Sequence, residues 1–424
     1  MNNSFEARSF SWRATAAALA LFAVVIALMS YRASFYVANP DRPDGVHWVM
    51  QDFRDVVFYP ARAFLDGRNP YNTHEYMEIY PVWHPLALYT PLSLLLNSPF
   101  AMMPFQLAWQ VYLVFSLLLL TALAAICLTV VDLKASAGRV ALVSALLLLS
   151  RPGQMNFHLG QVGLQTAITA TLAVFCANRS PWLAAVALAL STIKPTYGAP
   201  LCVLLVARGD WRLVVRALLL AAGPTAVAIL MLLQRAGGIE QLLASWAMTY
   251  HSFGTESFDD PMIGPFRIDA PALIARLSSI SMTRSTELLI GTAVLAVGAY
   301  AVYRCGRSEP QNDPRMQSGT LIILTMLACT YHQTYDALAL ALPVVGLVAD
   351  HLAARPRKNV LRIALIVLFG LIAANYLATV TALQSLNLHG KGRLGATSIN
   401  PGAICLALAI YVGLALRRRD RPSI

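Results

Sequence analysis

The chain has 424 residues, 57% hydrophobic and only 12% charged, with a mean hydropathy of +0.59 and a formal net charge of +11. A soluble domain of this length carries roughly twice that charged fraction, and apolar runs recur throughout, so a soluble enzyme with one anchor is excluded. Lys and Arg sit in short clusters between those runs, the pattern of basic residues retained on the cytoplasmic side of a membrane, which requires no nucleic-acid partner. Six cysteines (Cys127, Cys176, Cys202, Cys305, Cys329, Cys405) show no paired spacing and read as small core residues, with neither a disulfide framework nor a metal site.

A span needs about 20 apolar residues, fewer where the helix is broken or shielded by protein. The first apolar run, Ala14–Met29, follows Arg8 and Arg13 as a signal peptide would. It lacks a small-residue cleavage site and continues through Ser30–Tyr36, so it is read as an uncleaved span. Twelve membrane segments are predicted, at 13–36, 107–131, 138–150, 163–178, 181–193, 196–207, 213–233, 286–304, 318–331, 337–351, 360–381 and 402–416. With a cytoplasmic N-terminus, the inner connections carry Lys134 and Arg139, then Arg179, then Arg208, Arg212 and Arg216. Arg304, Arg307 and Arg315 follow, then Arg355, Arg357, Lys358 and Arg362, and the tail Arg417–Arg421, which places both termini in the cytoplasm. The stretch 86–103, interrupted by Pro91 and Pro99, is read as interfacial or re-entrant, because a span there would invert everything downstream. The expectation is an all-α polytopic protein forming one integral membrane domain over 1–424, with no soluble domain. Its two long outer segments, about 37–106 and 234–285, carry Trp48, Trp83, Trp246, Tyr250 and His251, aromatic residues suited to headgroup depth.

Four segments are too short for a straight span: 138–150, 181–193, 196–207 and 318–331. They abut outward polar clusters, namely Arg151–Gln161 (RPGQMNFHLGQ), Lys194-Pro195-Thr196 and Tyr331–Asp336 (YHQTYD). Broken helices at membrane depth persist only where protein or a water-filled cavity satisfies the freed backbone groups, so three breaks on one side predict an outward-facing cavity.

Asp52 and Asp55 follow the first span three residues apart and share a helical face, with Tyr59 four residues beyond Asp55. Carboxylates are few near spans, so these two lead the search for chemistry; the plainer reading is a solvated charge paired with Arg54 or Arg62. Pro60 and Gly67 bracket a short helix, and Pro60 disfavours α geometry at Tyr59, predicting an angle between the acidic turn and that helix. Lys194, between two apolar half-spans, suits an anion such as a phosphate, or pairs with a carboxylate or reaches the headgroups. Arg151, Gln154, Asn156, His158 and Gln161 suit a sugar or phosphate as well as they suit loop polarity. His332 and Asp336 stand four apart beside Tyr335, which reads as a second polar wall or as a helix-stabilising pair. His251 and Arg276 are weaker candidates. Asp259-Asp260, beside Pro261, reads as a turn, and no Walker loop, GxGxxG, HExxH or Asp-x-Asp pair occurs, so nothing requires a metal.

D-V-V-F-Y followed by P-A-R-A-F-L-D-G-R-N-P-Y, then Y-P-V-W-H-P and L-Y-T-P, resembles family 87 of the glycosyltransferases, polytopic polyprenyl-phosphate-mannose-dependent mannosyltransferases of the GT-C type. H-L-G-Q-V-G-L-Q (His158–Gln165) and S-T-I-K-P (Ser191–Pro195) before R-G-D-W-R are similar to that family too, and the resemblance covers about 40–350. It implies inverting transfer of a hexose, mannose by resemblance, from a polyprenyl-phosphate donor to a glycan or lipid acceptor at an outer-face site of a plasma-membrane protein. The lipid-linked donor is a substrate, and no cofactor is implied. The general base maps onto Asp55, which a Tyr closely follows, or onto Asp52. Lys194 with Arg151 or His158 would hold the phosphate; Tyr80, Trp83 and His84 would shape the sugar pocket, with Tyr59, Gln161, His251 and His332 as further substrate contacts. The rival expectation is a secondary transporter with a broken-helix site.

Overall fold

A computed structural model describes residues 11–38, 50–85, 89–253, 259–308, 316–353 and 360–417. Arg8, Trp48, residues 86–88, Arg315, Arg355, Arg357, Lys358 and the tail after Arg417 lie outside the described residues. α1 (Trp12–Ala38) precedes a π-helical turn, Phe53–Phe58, which runs directly into α2 (Tyr59–Leu65). α3 (Thr73–Ile79) and α4 (Leu92–Ala101) complete the first outer segment before α5 (Phe105–Val130) and α6 (Ala137–Leu149). Then come α7 (Arg151–Leu159), α8 (Gly163–Phe175), α9 (Pro181–Ser191), α10 (Pro195–Arg208) and α11 (Trp211–Ala236). The second outer segment holds α12 (Ile239–Phe253) and α13 (Ala270–Ser278), leading to α14 (Arg284–Ser308) and α15 (Met316–Cys329). A 3-10 turn, Thr334–Leu340, opens α16 (Ala341–Ala353), and α17 (Val360–Ala374), α18 (Val380–Ser385) and α19 (Gly390–Arg417) follow. Among the described residues the only β pairing is an isolated antiparallel bridge between Arg267 and Gln333.

Each of the twelve predicted segments contains a helix, though the one predicted over 360–381 stops at Ala374 and 375–379 is a connection, and the protein is an all-α, multi-pass membrane protein. Among the described residues six helices are long and apolar enough to cross a membrane: Trp12–Ala33, Phe105–Val130, Trp211–Ala236, Arg284–Gly306, Thr334–Leu352 and Gly390–Arg417. Leu28 on α1, Leu118 on α5 and Leu219 on α11 are 61%, 62% and 71% exposed, an apolar exterior suited to lipid rather than water. The shorter helices α8 and α15 are enclosed instead: Ser318–Cys329 is buried along its whole length. A 14-residue helix can therefore lie at membrane depth because its neighbours, not its own length, shield it.

Two expectations are refined. The interfacial stretch contains a ten-residue apolar helix, α4, which accommodates Pro99 and packs on α2 and α11. Tyr59 is α-helical (φ −69°, ψ −32°), not extended, and donates its N–H to Arg54 O five residues back. The π turn adds a residue to the coil just before Pro60, so the helical coil continues through the position of the missing proline N–H instead of turning extended at Tyr59.

Helix α14 packs closely on α15 through Gly291 and Gly298, one heptad apart. A Cβ on Gly298 would lie 2.2 Å from Thr325 Cγ2, and one on Gly291 would lie 2.1 Å from Cys329 O. Small residues allow such approach where dispersion, not water exclusion, drives helix association. Gly298→Val is expected to destabilise the detergent-solubilised protein by about 1–3 kcal/mol, whereas Gly223→Val, with open space at its Cβ, should stay within about 0.5 kcal/mol. Thermal unfolding of the two variants side by side checks this.

Candidate active site

One cavity of about 1380 Å³ is lined from the end of α1, the acidic turn, α7, the α9–α10 break, the second outer segment, the α15 exit and the α17–α18 connection. Each is a connection that the alternation of segments places on the same face. At the other face, the end of α10 meets the ends of α8 and α14: Arg208 donates to Val174 O at 2.8 Å and packs on Gly306.

The acidic turn is fastened to the end of α7. Met50 N donates to His158 O at 2.8 Å, and α7 closes on Gly160 at φ +69°, where a Cβ would sit 2.6 Å from Phe53 Cβ. Phe53 is fully buried against Tyr112, with ring centroids 4.7 Å apart. Asp52 is half-buried and lines the cavity, and its Oδ2 accepts from Gln161 Nε2 at 2.5 Å. The Gln161 amide is itself oriented: Tyr89 OH donates to its Oε1 at 3.4 Å and Tyr112 OH to its main-chain oxygen at 3.1 Å. Burial lifts Asp52 to about 7, opposed by the Gln161 hydrogen bond, raised further by Asp55, and lowered by His84 and Lys194.

Asp55 lines the same cavity but is committed to neighbours. Arg54 Nε and Nη2 donate to its carboxylate at 2.7 and 3.2 Å, and Trp83 N donates to Oδ2 at 3.3 Å. The Arg54 guanidinium lies over the Trp83 ring, 4.7 Å from its centroid. Asp52 forms no ion pair among the described residues. The fork on Asp55 and its absence on Asp52 distinguish two acids that share a sequence face.

Lys194 reaches the cavity, but its charge is balanced from behind. Its extended backbone breaks α9 from α10, and Nζ donates to Asp336 Oδ1 at 2.6 Å. Asp336 also meets His332 Nδ1 at 3.1 Å and accepts from Tyr197 OH at 3.2 Å and Gln333 N at 3.1 Å. His332 is fully buried behind the lining, against the Tyr197 ring and Asp336. Its assignment to substrate is therefore corrected: it supports the carboxylate, the helix-stabilising role its spacing also allowed.

The Arg151–Gln161 cluster presents one helical face. Arg151, Gln154, Met155, His158 and Leu159 line the cavity at the i, i+3, i+4, i+7, i+8 positions of α7. Arg151 donates to Gln154 Oε1 at 3.2 Å and has no acidic partner among the described residues. Burial lowers Arg151 to about 10, still charged at neutral pH; burial, with Arg32 and Arg151 nearby, lowers His158 to about 3 and keeps its imidazole neutral.

Of the remaining candidates, His84 lines the cavity. Tyr59 and Tyr80 do not: Tyr59 stacks on Phe105 and Tyr80 donates to Asp66 Oδ2 at 2.9 Å, so both brace the outer segment. His251 is exposed on α12 and does not line the cavity, whereas its neighbour Tyr250, also exposed, does. Arg276 is buried and donates to the main-chain oxygens of Arg267, Gly264 and Thr397, a staple between outer loop and α19. Tyr331 and Gln333, in the polar cluster expected at the cavity, form a wall with Asp259, Arg267 and Glu287, which the sequence did not single out for chemistry. Asp259 had the signature of a turn; the one usable signal was Arg267-Ile268-Asp269, charges flanked by Pro265 and Pro271 in a segment otherwise free to solvate them.

A polytopic helical bundle with a large polar cavity on one face, carrying an unpaired acid and an unpaired guanidinium, defines a membrane protein built to handle a polar or anionic group beside lipid. A family model for glycosyltransferase family 87 matches residues 87–331, more than half of the chain, and the chain belongs to that family. It is accordingly a membrane glycosyltransferase. The match is narrower than the resemblance at 40–350: it contains Arg151, His158, Gln161 and Lys194 and begins after both aspartates. No curated protein and no solved structure matches the chain.

Removing one member of a buried ion pair strands the other, which costs about 3–5 kcal/mol. Lys194→Met is expected to destabilise the protein by that order, and Lys194→Met with Asp336→Asn to recover a large part of it. Denaturation of single and double variants in detergent measures the difference.

Proposed function

We propose that the protein transfers a hexose, mannose on the family resemblance, from a polyprenyl-phosphate donor to an acceptor hydroxyl on the outer face of the plasma membrane, with inversion and with Asp52 as general base. The observation that carries the reading is an acid held near neutrality by burial, in the same cavity as an arginine without an acid. The Asp52 carboxylate takes the proton of the acceptor hydroxyl as its oxygen bonds to the anomeric carbon. On the opposite face the bond to the phosphate oxygen breaks, and its electron pair leaves with the lipid phosphate. Arg151, with Gln154 beside it, meets that developing charge in a poorly hydrated site, where an oriented donor is worth more than in water. Neutral His158 adds a hydrogen bond without further charge. Lys194, neutralised by Asp336, offers its remaining N–H groups to the sugar or phosphate without a net field. Asp55, clamped by Arg54, fixes the turn that aims Asp52. Basic inner connections support cytoplasmic termini and thus an outer cavity. The transporter reading gains no separate observation, since the cavity serves both.

In proteoliposomes supplied with polyprenyl-phosphate mannose and a mannoside acceptor, Asp52→Asn should lower kcat about 10²–10⁴-fold, with donor KM little changed. Asp55→Asn should cost less. Full turnover in Asp52→Asn with loss in Asp55→Asn would exchange their roles, and full turnover in both would end the assignment.

The base works deprotonated, so kcat/KM should fall as pH drops through about 7, where Asp52 takes up its proton. Gln161→Leu removes a hydrogen bond that stabilises the charged carboxylate. It should therefore move this acidic limb to higher pH, an effect that a loss of folding alone would not produce. A pH–rate profile of both proteins decides it.

A further inference from the structure

The cavity has two chemically unlike ends. Arg32 and Arg151 line one, on α1 and α7, and no acid of the lining stands on those helices. At the other, Arg267 is forked onto Asp269 at 2.9 Å through both Nε and Nη2 and meets Glu287 at 2.8 Å, with Arg284 alongside at 3.8 Å from Glu287. With Asp259 added, three acids there face three cations, since buried Arg276 donates to Arg267 O at 3.2 Å, and each of those cations is already partnered. Met155, Leu159, Phe266 and Tyr335 pack together with Val380 as an apolar seam where the α7 wall meets the second.

The second end is built, not merely polar. The segment before α13 is pinned to the α15 exit by Ile268 N to His332 O at 3.0 Å and Thr334 N to Phe266 O at 2.8 Å. Tyr331 OH donates to Asp259 Oδ1 and accepts from Gln333 Nε2. The Arg267 guanidinium lies over the Tyr331 ring at 5.2 Å, and its Nη1 donates to Asp259 O at 2.7 Å. A half-buried phenol thus stands between a carboxylate and an amide on a rigid backing, with Tyr250 across from it in the same lining. Alternating donors and acceptors beside aromatic faces suit a ring bearing several hydroxyls, each of which both donates and accepts. A second negative charge would meet Asp259 and Glu287 instead of a free cation.

We infer that the Asp259–Tyr331–Gln333 corner is the acceptor subsite, and that the acceptor presents there a neutral, polyhydroxylated sugar unit and not an anionic headgroup. This deepens the transferase reading and rests on it for the word acceptor. The pairing then assigns each substrate its own end: the phosphate of the donor goes to Arg151, and the incoming sugar to the end where the cations are already paired. Asp52 shares the cavity with both.

Calorimetry on the full-length protein in detergent tests the subsite without turnover, using the methyl glycosides of mannobiose, maltose and lactose and the 6′-phosphate of each. At least one neutral disaccharide should bind, and its phosphate about tenfold more weakly. Tyr331→Phe and Gln333→Leu, each with unchanged melting, should weaken that binding about tenfold, the loss of one or two hydrogen bonds. Binding of none of the neutral disaccharides, tighter binding of the phosphates, or indifference to both variants would overturn the inference. Failure of the transferase reading shows separately, as absent turnover of the polyprenyl-phosphate donor with disaccharide binding intact.

Discussion

The buried Asp336 carboxylate joins most of what makes the cavity possible. In a low-dielectric interior an ammonium and a carboxylate each cost too much alone, and together they must also satisfy their remaining hydrogen-bonding atoms. Asp336 does so by collecting Lys194 from the α9–α10 break, Tyr197 from the first turn of α10, and His332 and the Gln333 N–H from its own loop. Two interrupted helices are thereby held with their broken ends together. The loop carrying His332 is in turn paired with the second outer segment through Ile268. One ion pair thus sets the positions of Lys194, the phenol of Tyr331 and the Arg267 wall relative to one another.

That arrangement resolves how Lys194 and Arg151 divide the work. From the chain alone Lys194 is the more arresting cation, because it stands inside apolar sequence. Its cost of burial is met by Asp336, 142 residues away in sequence, so its position is explained by structure before any ligand is invoked. Arg151 looks ordinary in a polar cluster, yet it hydrogen-bonds the Gln154 amide and has no acidic partner among the described residues. Arg151 and Asp52 line one cavity, each without an ion pair among the described residues, and the balanced lysine belongs to the scaffold that lets the two face the same space.

The fold was legible because its signals are local. Apolar length, basic clusters between runs and polar breaks each follow from transfer of a short segment into lipid, and a helix lies in each of the twelve segments, with only 360–381 broken, at 375–379. The convergence of three breaks on one cavity was legible for the same reason, since parity along the chain determines the face. What local sequence could not show was which polar group meets which. Asp52 and Asp55 share a helical face, but only the distant Gln161 and the adjacent Arg54–Trp83 stack separate a poised acid from a clamped one. The His332–Asp336 spacing gave the pair correctly and its partner Lys194 not at all. Asp259 was hidden because an Asp-Asp-Pro turn looks the same whether it faces solvent or Tyr331.

The same reasoning accounts for where the family match lies. Residues 87–331 span the wall elements, α7, the α9–α10 break and the second outer segment, whose helices must pack on one another in a fixed way. The acidic turn is attached differently, by one backbone bond to His158, by Phe53 seated on Gly160, and by Gln161 reaching Asp52. Its side of each contact asks only for a carboxylate and an aromatic at the right separation, a weak demand on neighbouring residues, whereas the α7 side demands a left-handed glycine followed by an amide, the G-Q of H-L-G-Q. The specificity of the acid's placement is thus written in the receiving helix, and the short motif at 158–161 is informative about the buried side of Asp52, far earlier in the chain.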